Sequence, residues 1–297
     1  MKRTVIVVIL FFFLPCLHAC GTSPAAQPVE PEAAARPAPV TEEKVALPPV
    51  KKGGDVQLLR TALDDYLARP LPATQEITLQ IEQGDEVLYS LKPDQRFHGA
   101  STLKVNASML AEEKLAGETD TERSAVILAA MHYALVDSDN DAWATLLNYV
   151  DEGEMLRYYE GTDITMEEIE SNMTTARAMV RLLHELDEHR EAYPDVIENM
   201  KQAAFTYGAS DYLDGMMKYG DYVDLGLIML LDTKPPIRIA TYMNNLYGYE
   251  AMEAWVRAIC RALSEAGYVE LKRAIPPDEV TGPLEEVPEA TDEKPGL

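Results

Sequence analysis

Three short motifs along the chain contain the residue types that activate a serine hydroxyl for attack on an acyl group. A Ser-x-x-Lys motif with Ser101 and Lys104 comes first, followed by Ser-Asp-Asn at residues 138–140 and by a Lys-x-Gly motif that begins at Lys218. A serine hydroxyl is a poor nucleophile until a neighbouring base removes its proton. If Ser101 opens a helix, Lys104 lies one turn along the same face, where its amine can reach the hydroxyl. The set therefore predicts acyl transfer through a covalent serine intermediate.

The three motifs would divide this chemistry among them. Lys104 works as a base only when its amine is neutral, so burial or a nearby cation such as Lys218 must lower its pKa. The departing nitrogen needs a proton donor, which Ser138 can supply from a loop. Backbone N–H groups at a helix start have no partner inside the helix and can stabilise the developing oxyanion.

Each motif alone also has a structural explanation. Ser101 and Lys104 can mark a solvated helix start, the Ser-Asp-Asn segment can be a cluster of helix caps, and Tyr219-Gly220 can be an ordinary turn. The order of the motifs and the sequences around them favour the catalytic interpretation over three independent coincidences.

The elements around the motifs place the Ser/Lys pair directly after a hairpin. Residues 77–81 alternate apolar and polar side chains, as in a half-buried strand, and a Gln-Gly-Asp turn precedes a return strand near residues 87–89. A helix is predicted to open near Ser101. Two further strands are predicted at residues 225–231 and 237–242, and a last helix at about residues 249–268. Trp143 is expected to pack in the core.

The motifs and their flanks resemble those of the class A β-lactamase-like serine hydrolases, the wider group that includes penicillin-binding transpeptidases. The similar segments are PDQRFHGASTLKV, ALVDSDNDAWATLLNYV, NMTTARAMVRLLHEL and MMKYGDYVDLGLIML, and the resemblance extends from about residue 55 to about residue 270. It implies an α/β fold of the α+β type. An antiparallel sheet would be flanked by terminal helices, and an all-helical lobe would be inserted between the hairpin and the later strands.

The resemblance also implies a role for each motif residue. Ser101 would be the nucleophile and Lys104 its base. Ser138 would relay a proton, Asn140 would hold Lys104 and a substrate amide, and Lys218 would face a substrate carboxylate. The implied activity is that of a serine hydrolase acting on a β-lactam or a related amide through acyl-Ser101, as in β-lactam catabolism.

Two departures from the family pattern bear on the activity. In the substrate-binding segment, Tyr219 stands where Thr or Ser is usual. After Gly220 comes Asp221, whose backbone N–H, with that of Ser101, is the implied oxyanion donor. The carboxylate of Asp221 should disfavour anionic substrates if it faces the site.

The second departure concerns deacylation. The family's deacylating Glu lies in a Glu-x-x-Leu-Asn motif, which residues 168–172 imitate on a shortened loop with Ser in place of Leu. Glu168 is thus a candidate deacylation base, although a solvated helix-end acid is the favoured interpretation, and slow deacylation is expected.

The first twenty residues have the pattern of a secretion signal. Lys2 and Arg3 form a basic start, and residues 5–14 are apolar but too few to span a bilayer comfortably. Residues 17–21 resemble a bacterial lipobox, so lipidation of Cys20 is favoured over ordinary cleavage near Ala19. We therefore expect a signal peptide at residues 1–19 and a lipid-anchored protein of the bacterial cell envelope that faces the periplasm or the exterior.

Composition divides the rest of the chain and limits its partners. Residues 20–54 are rich in Pro, Ala and Glu and are expected to form a tether, residues 55–273 one hydrolase domain, and residues 274–297 an acidic disordered tail. The formal net charge of −24 argues against nucleic acid as a partner. No cofactor or metal site is predicted, since the histidines, His98 among them, are scattered and are expected to be structural. A monomer acting on a small-molecule or peptidoglycan-derived amide is expected.

Two other hypotheses remain open on the same fold. One is a D,D-peptidase, another penicillin-binding-type protein or an esterase that uses the same nucleophile, and the other is a non-catalytic pseudoenzyme that binds in the cell envelope. The geometry of the cleft distinguishes them. Lys104 near the Ser101 hydroxyl, with Ser138 facing both, favours an enzyme, whereas Tyr219 or Asp221 filling the cleft favours a binding protein.

Overall fold

The computed structural model of the chain describes residues 53–69 and 74–276. The predicted signal peptide, the lipidation site at Cys20, nearly all of the tether and most of the acidic tail lie outside the described residues. Within those two ranges, no helix combines the length and the apolar character that crossing a bilayer would require.

A five-stranded antiparallel sheet forms the centre of the domain. Its strands are β1 (Ile77–Gln83), β2 (Glu86–Leu91), β5 (Gly215–Asp221), β6 (Asp224–Leu231) and β7 (Ile237–Asn244). They lie side by side in the order β2-β1-β7-β6-β5, which leaves β5 at an edge. Two short strands, β3 (Phe97–His98) and β4 (Met173–Thr174), form a separate ladder.

Helices cover both faces of the sheet. The terminal pair is α1 (Val56–Leu67) and α8 (Gly248–Glu265), which pack against each other on one face. The helical lobe on the other side comes between β2 and β5 in the sequence. It contains α2 (Lys104–Leu115), α3 (Thr121–His132), α4 (Asn140–Tyr149), α5 (Met166–Glu170), α6 (Ala176–Glu188) and α7 (Pro194–Lys201). The predicted α+β architecture, with its antiparallel sheet and inserted helical lobe, is confirmed.

The layer of terminal helices is built on a capped and amphipathic α1. The side chain of Asp55 accepts hydrogen bonds from the backbone N–H groups of Gln57 and Leu58, both at 3.0 Å, and so satisfies two donors that the helix leaves open. Leu59 and other apolar residues of α1 are buried with α8 against the sheet. The same core includes Ile275, so packing continues past residue 273.

The interior strand β1 is buried on both faces rather than on one. Thr78 and Gln80, which alternate with its apolar residues, are 0% exposed because α6 lies across that face of the sheet. The Thr78 hydroxyl donates to the carbonyl of Leu91 at 3.0 Å, which satisfies this buried polar group inside the sheet. The alternation predicted the strand correctly, but it did not indicate that α6 would also bury the face that carries the polar side chains.

Candidate active site

Ser101 lies in a tight turn that joins the sheet to the helical lobe. Residues Ala100–Leu103 form a 3-10 turn, and α2 begins at the next residue, Lys104. The buried Thr102 hydroxyl hydrogen bonds to the carbonyl of Gly99 at 2.6 Å and to the Tyr242 hydroxyl on β7 at 2.8 Å. Ala100 has a φ of 45°, in the left-handed region that non-glycine residues rarely adopt. These contacts hold the turn against the sheet despite that strain.

The edge strand β5 approaches the same turn closely at Gly220. A Cβ atom on this residue would lie 2.7 Å from the carbonyl oxygen of Gly99 and 3.2 Å from the Cβ of Ala100. No side chain fits in that space, so a glycine here permits β5 to lie beside the serine turn. Lys218, two residues earlier on the strand, is thereby brought to the site.

Ser138 is presented by an irregular connection between two helices of the lobe. The π-helical turn Tyr133–Asp137 follows α3, and Ser138 then adopts a left-handed φ of 62°. The next residue, Asp139, caps α4 by accepting from the N–H of Ala142 at 2.7 Å. The capping explanation of the Ser-Asp-Asn segment thus applies to Asp139, whereas Ser138 and Asn140 line the cleft.

Lys104 is fully buried and is joined to the Ser-Asp-Asn segment. Its amine donates to the carbonyl oxygens of Ser138 and Asp139, the latter at 3.1 Å, and to Oδ1 of Asn140 at 2.8 Å. It also lies 5.8 Å from the ring centroid of Trp143. Within the described residues, the Ser101 hydroxyl is not among the hydrogen-bond partners of this amine. The amine is therefore connected to the cleft through Asn140, which lines it.

Lys218 contacts the side chain of Ser138, whereas Lys104 contacts its backbone carbonyl. Its buried amine donates to the Ser138 hydroxyl at 2.8 Å and lies 4.4 Å from the ring centroid of Tyr219. Ser138 therefore stands between two lysines, with its carbonyl bonded to Lys104 and its hydroxyl bonded to Lys218. The structure brings all five predicted catalytic residues to one place.

Burial lowers the pKa of both amines. Loss of hydration lowers the pKa of Lys104 to about 8, an effect that the negative charge of Asp139 opposes. Burial and, to a smaller extent, the positive charge of Lys104 lower the pKa of Lys218 to about 7, against the charge of Asp137. Near neutral pH, a fraction of these amines is therefore uncharged and able to accept a proton.

The cleft beside Ser101 has a volume of about 410 Å³ and lies between the helical lobe and the tip of the sheet. Its walls include two aromatic residues that the sequence did not identify. Trp143, expected in the core, is half-buried and forms part of the wall. The Nδ1 atom of His98, expected to be structural, accepts the N–H of Ala100 at 3.2 Å, and its ring lies 4.8 Å from that of Tyr222.

The segment of residues 219–221 forms one end of the cleft. The ring of Tyr219 packs edge-on against Phe205, with ring centroids 5.0 Å apart. The Asp221 carboxylate accepts a hydrogen bond from the Tyr249 hydroxyl. Both Tyr219 and Asp221 line the cleft, yet the volume beside Ser101 stays open.

Glu168 lies outside the residues that line the cleft. Its carboxylate accepts the backbone N–H of Thr165 at 2.9 Å and the guanidinium of Arg96 at 2.8 Å, in a capping box at the start of α5. The hydrogen bond from Arg96 is the main reason that the pKa of Glu168 is lowered. Asn172 faces the cleft instead, with a left-handed φ of 57° and a buried Oδ1 that has no hydrogen-bond partner among the described residues. The sequence placed Asn172 in the segment that imitates the Glu-x-x-Leu-Asn motif, but gave no sign that its side chain lines the cleft.

No protein-family model matches the chain, and no curated protein matches it. Solved structures do match. A β-lactamase from Sphaerobacter thermophilus DSM 20745 is 16% identical, with a TM-score of 0.60, over 72% of this chain and 99% of that chain. A class A β-lactamase from Bacteroides cellulosilyticus DSM 14838 is 12% identical, with a TM-score of 0.56, over 73% of this chain and 99% of that chain.

A third match is a variant of PBP-A solved as an acyl-enzyme complex with penicillin G. It is 15% identical, with a TM-score of 0.58, over 74% of this chain and 98% of that chain. The likeness to these three structures shows that the chain has the fold of the class A β-lactamases and PBP-A. The fold that the three motifs and their flanks implied is therefore confirmed.

Proposed function

We propose that this protein is a serine acyl-transfer enzyme that forms an acyl-Ser101 intermediate on a β-lactam or a related amide. The observation that supports this most strongly is the position of Ser138 between two buried lysines, next to the cleft that Ser101 lines. A buried lysine is unfavourable for folding, and two adjacent ones more so. An arrangement of that kind is typical of a site where proton transfer is needed.

In the proposed acylation step, neutral Lys104 accepts the Ser101 proton as the hydroxyl oxygen attacks the carbonyl carbon. The backbone N–H groups of Ser101 and Asp221 stabilise the oxyanion of the tetrahedral intermediate. When the C–N bond breaks, the Ser138 hydroxyl gives its proton to the departing nitrogen. The Lys218 ammonium, which donates to that hydroxyl, then replaces the proton. Asn140 holds the Lys104 amine in place.

We expect the acyl-enzyme to be long-lived. Water attack on an ester needs a base, and the Glu168 carboxylate is engaged by Arg96 and by the cap of α5. Slow deacylation corresponds to a penicillin-binding type of activity, rather than to rapid lactam hydrolysis. D,D-peptidase or esterase activity through the same serine is the alternative within this class.

We further propose that the mature chain is anchored in the bacterial cell envelope by a lipid on Cys20, with a peptidoglycan-derived amide as the natural substrate class. The support is the sequence alone: a basic start, a short apolar stretch and a lipobox-like segment, followed by a Pro- and Ala-rich tether. Such a tether would let a monomeric domain reach substrates away from the membrane surface.

The proposal is tested by intact-mass analysis of the purified protein after incubation with a neutral fluorophosphonate or with penicillin G. We expect a stable adduct on Ser101 with each reagent. Ser101→Ala should give none, and Ser171→Ala, which removes an exposed hydroxyl, should react like the unmodified protein. If neither reagent modifies Ser101, the protein is not an acyl-transfer enzyme and the binding hypothesis replaces this one.

Substitution of Glu168 tests the expected slow deacylation. Glu168→Gln should leave the rate of acyl release unchanged and should lower stability by about 1 kcal/mol, since it weakens the helix cap and the ion pair. Release is followed by loss of the adduct mass, with Glu167→Gln on the same helix as the control. A release rate more than tenfold slower in Glu168→Gln would instead identify Glu168 as the deacylation base.

A further inference from the structure

The cleft presents a negative charge where a carboxylate-binding cation would be expected. Among the described residues that line it, Asp221 alone carries a formally charged side chain. His98, which also lines it, has a pKa that burial lowers, against the charge of Asp224, so the ring is neutral at pH 7. A substrate group near Asp221 is therefore exposed to a negative charge, and within the part of the chain that the structure describes no positively charged side chain lines the cleft to balance it.

The amines of Lys104 and Lys218 are not accessible to a ligand in the cleft. Lys218 is 0% exposed, because the ring of Tyr219 lies over its amine and its hydrogen bond goes to Ser138. Lys104 is also 0% exposed, and its three hydrogen bonds go to residues 138–140. An ammonium group has three N–H donors, so Lys104 has none left for a substrate carboxylate.

Aromatic rings surround the acid. Tyr222 follows Asp221 in the chain, Tyr219 lies two residues before it, and both line the same cleft; Tyr222 is 67% exposed, so its ring is accessible. Trp143 forms part of the wall as well. The Tyr249 hydroxyl donates to the Asp221 carboxylate and fixes its orientation. Aromatic faces with a carboxylate among them bind alkylammonium groups through cation–π and ionic attraction.

We propose that the cleft selects acyl donors that carry an ammonium group at the Asp221 end and disfavours donors with a carboxylate there. This inference rests on the proposed acyl-transfer function for the identity of the reacting group, and it deepens that function by naming the substrate class. It replaces the implied pairing of Lys218 with a substrate carboxylate. It also leads us to expect that penicillin G, which is anionic, acylates Ser101 slowly.

Ligand binding can be measured without any chemistry, by the fluorescence of Trp143. The protein has two tryptophans, and Trp255 is 0% exposed in the core between α8 and the sheet, so its emission is a constant background. We expect benzyltrimethylammonium to change the emission saturably and to bind at least about tenfold more tightly than 3-phenylpropanoate. Added salt should weaken the binding of the ammonium ligand.

Asp221→Asn should remove this preference, whereas Asp214→Asn, which alters a side chain that is 83% exposed, should retain it. Equal or tighter binding of the carboxylate ligand by the unmodified protein would overturn the proposal. So would an ammonium preference that survives in a folded Asp221→Asn protein. The comparison of ligands on the unmodified protein decides the matter even if the variant does not fold.

Acylation rates separate this inference from the function on which it rests. Matched aryl esters that end in trimethylammonium, in a neutral group or in carboxylate are compared at several linker lengths, with intact mass as the readout. We expect the ammonium ester to acylate Ser101 about tenfold faster than the neutral one, and the carboxylate ester to be slowest. Ammonium binding without acylation by any ester would refute the acyl-transfer proposal alone, and acylation without charge preference would refute this inference alone.

Discussion

Ser138 is the residue on which the two lysines converge. Its carbonyl accepts from Lys104 and its hydroxyl accepts from Lys218, so a single residue contacts both amines. Its left-handed backbone is unfavourable by roughly 1–2 kcal/mol for a residue that is not glycine. Strain of this kind persists only where surrounding contacts determine it, and it clusters at functional sites. The geometry of Ser138 thus supports a role in proton transfer beyond that of a helix cap.

The pH dependence of acylation follows from the state of the lysine base. Because Lys104 is a base only when neutral and its pKa is about 8, the acylation rate should rise with pH and become constant above about pH 8. The rate of Ser101 modification by the neutral fluorophosphonate, measured by intact mass from pH 5.5 to 9.5, reports this inflection. A rate that is flat or falls between pH 6 and 8 would exclude a lysine base.

Two variants identify the group that titrates. Lys218, with a pKa of about 7, is mostly neutral where Lys104 titrates, so Lys218→Gln should leave the inflection near pH 8. His98→Gln is the matched control, because His98 is the other titrating side chain beside the serine turn. Its inflection should stay where it is in the unmodified protein. An inflection near pH 8 in both variants would assign the titration to Lys104.

Among the secondary-structure elements, β5 and the serine turn depend on each other. The strand lies at the sheet edge and contacts the Ala100–Leu103 turn, and Gly220 permits the approach. Gly220→Ala should therefore push the strand and the turn apart, with a loss of about 1–3 kcal/mol of stability and most of the acylation activity. Thermal unfolding and the rate of Ser101 modification check the two effects.

Gly117→Ala is the control for this substitution. A Cβ atom at Gly117 would lie 3.8 Å from the carbonyl oxygen of Lys114, an ordinary contact, and its φ is not positive. Stability should change by less than about 1 kcal/mol, and activity should be retained. If Gly220→Ala behaves like Gly117→Ala, the close approach of β5 does not position the serine.

Sequence patterns predict the elements of this fold better than they predict the walls of its cleft. The motif spacing placed Ser101 and Lys104 correctly at a helix start, because three residues correspond to one turn. Trp143, His98 and Asn172 line the cleft only because the helical lobe and the sheet come together there. The local patterns place each of the three beside or inside a motif, but they do not show which side chains face one cleft, since the three residues lie 29 or more positions apart in the chain.

Considered as a whole, the molecule combines two apolar cores with charged groups at their junction. One core lies between the sheet and the terminal helices, and the other fills the helical lobe and the opposite face of the sheet. Lys104 and Lys218 are buried where the lobe meets the sheet. Removal of an ammonium group from water is unfavourable by several kcal/mol. We infer that burial of the two amines lowers the stability of the fold and, by the same effect, allows them to lose protons near neutral pH.

The stability of the whole domain should therefore increase with pH above neutrality. An unfolded lysine has a pKa of about 10.4, whereas that of Lys218 in the folded protein is about 7. Between these values Lys218 binds a proton in the unfolded chain but not in the folded one, so this group alone raises the free energy of unfolding with pH, by up to about 1.4 kcal/mol per pH unit. Below pH 7 both states are protonated, and the full penalty of the buried charge is present.

Lys218→Met should remove this penalty and its pH dependence together. We expect the variant to be more stable than the unmodified protein by about 1–4 kcal/mol at pH 6, with the difference shrinking towards pH 10. Urea unfolding at pH 6, 7.5 and 9 measures both quantities, and Lys201→Met, on an exposed lysine of α7, is the control. A Lys218→Met protein that is less stable at pH 6 and equally dependent on pH would show that the Lys218 amine is charged and well satisfied in the folded state. In that case the amine would stabilise the domain, and the lowered pKa of Lys218 would be wrong.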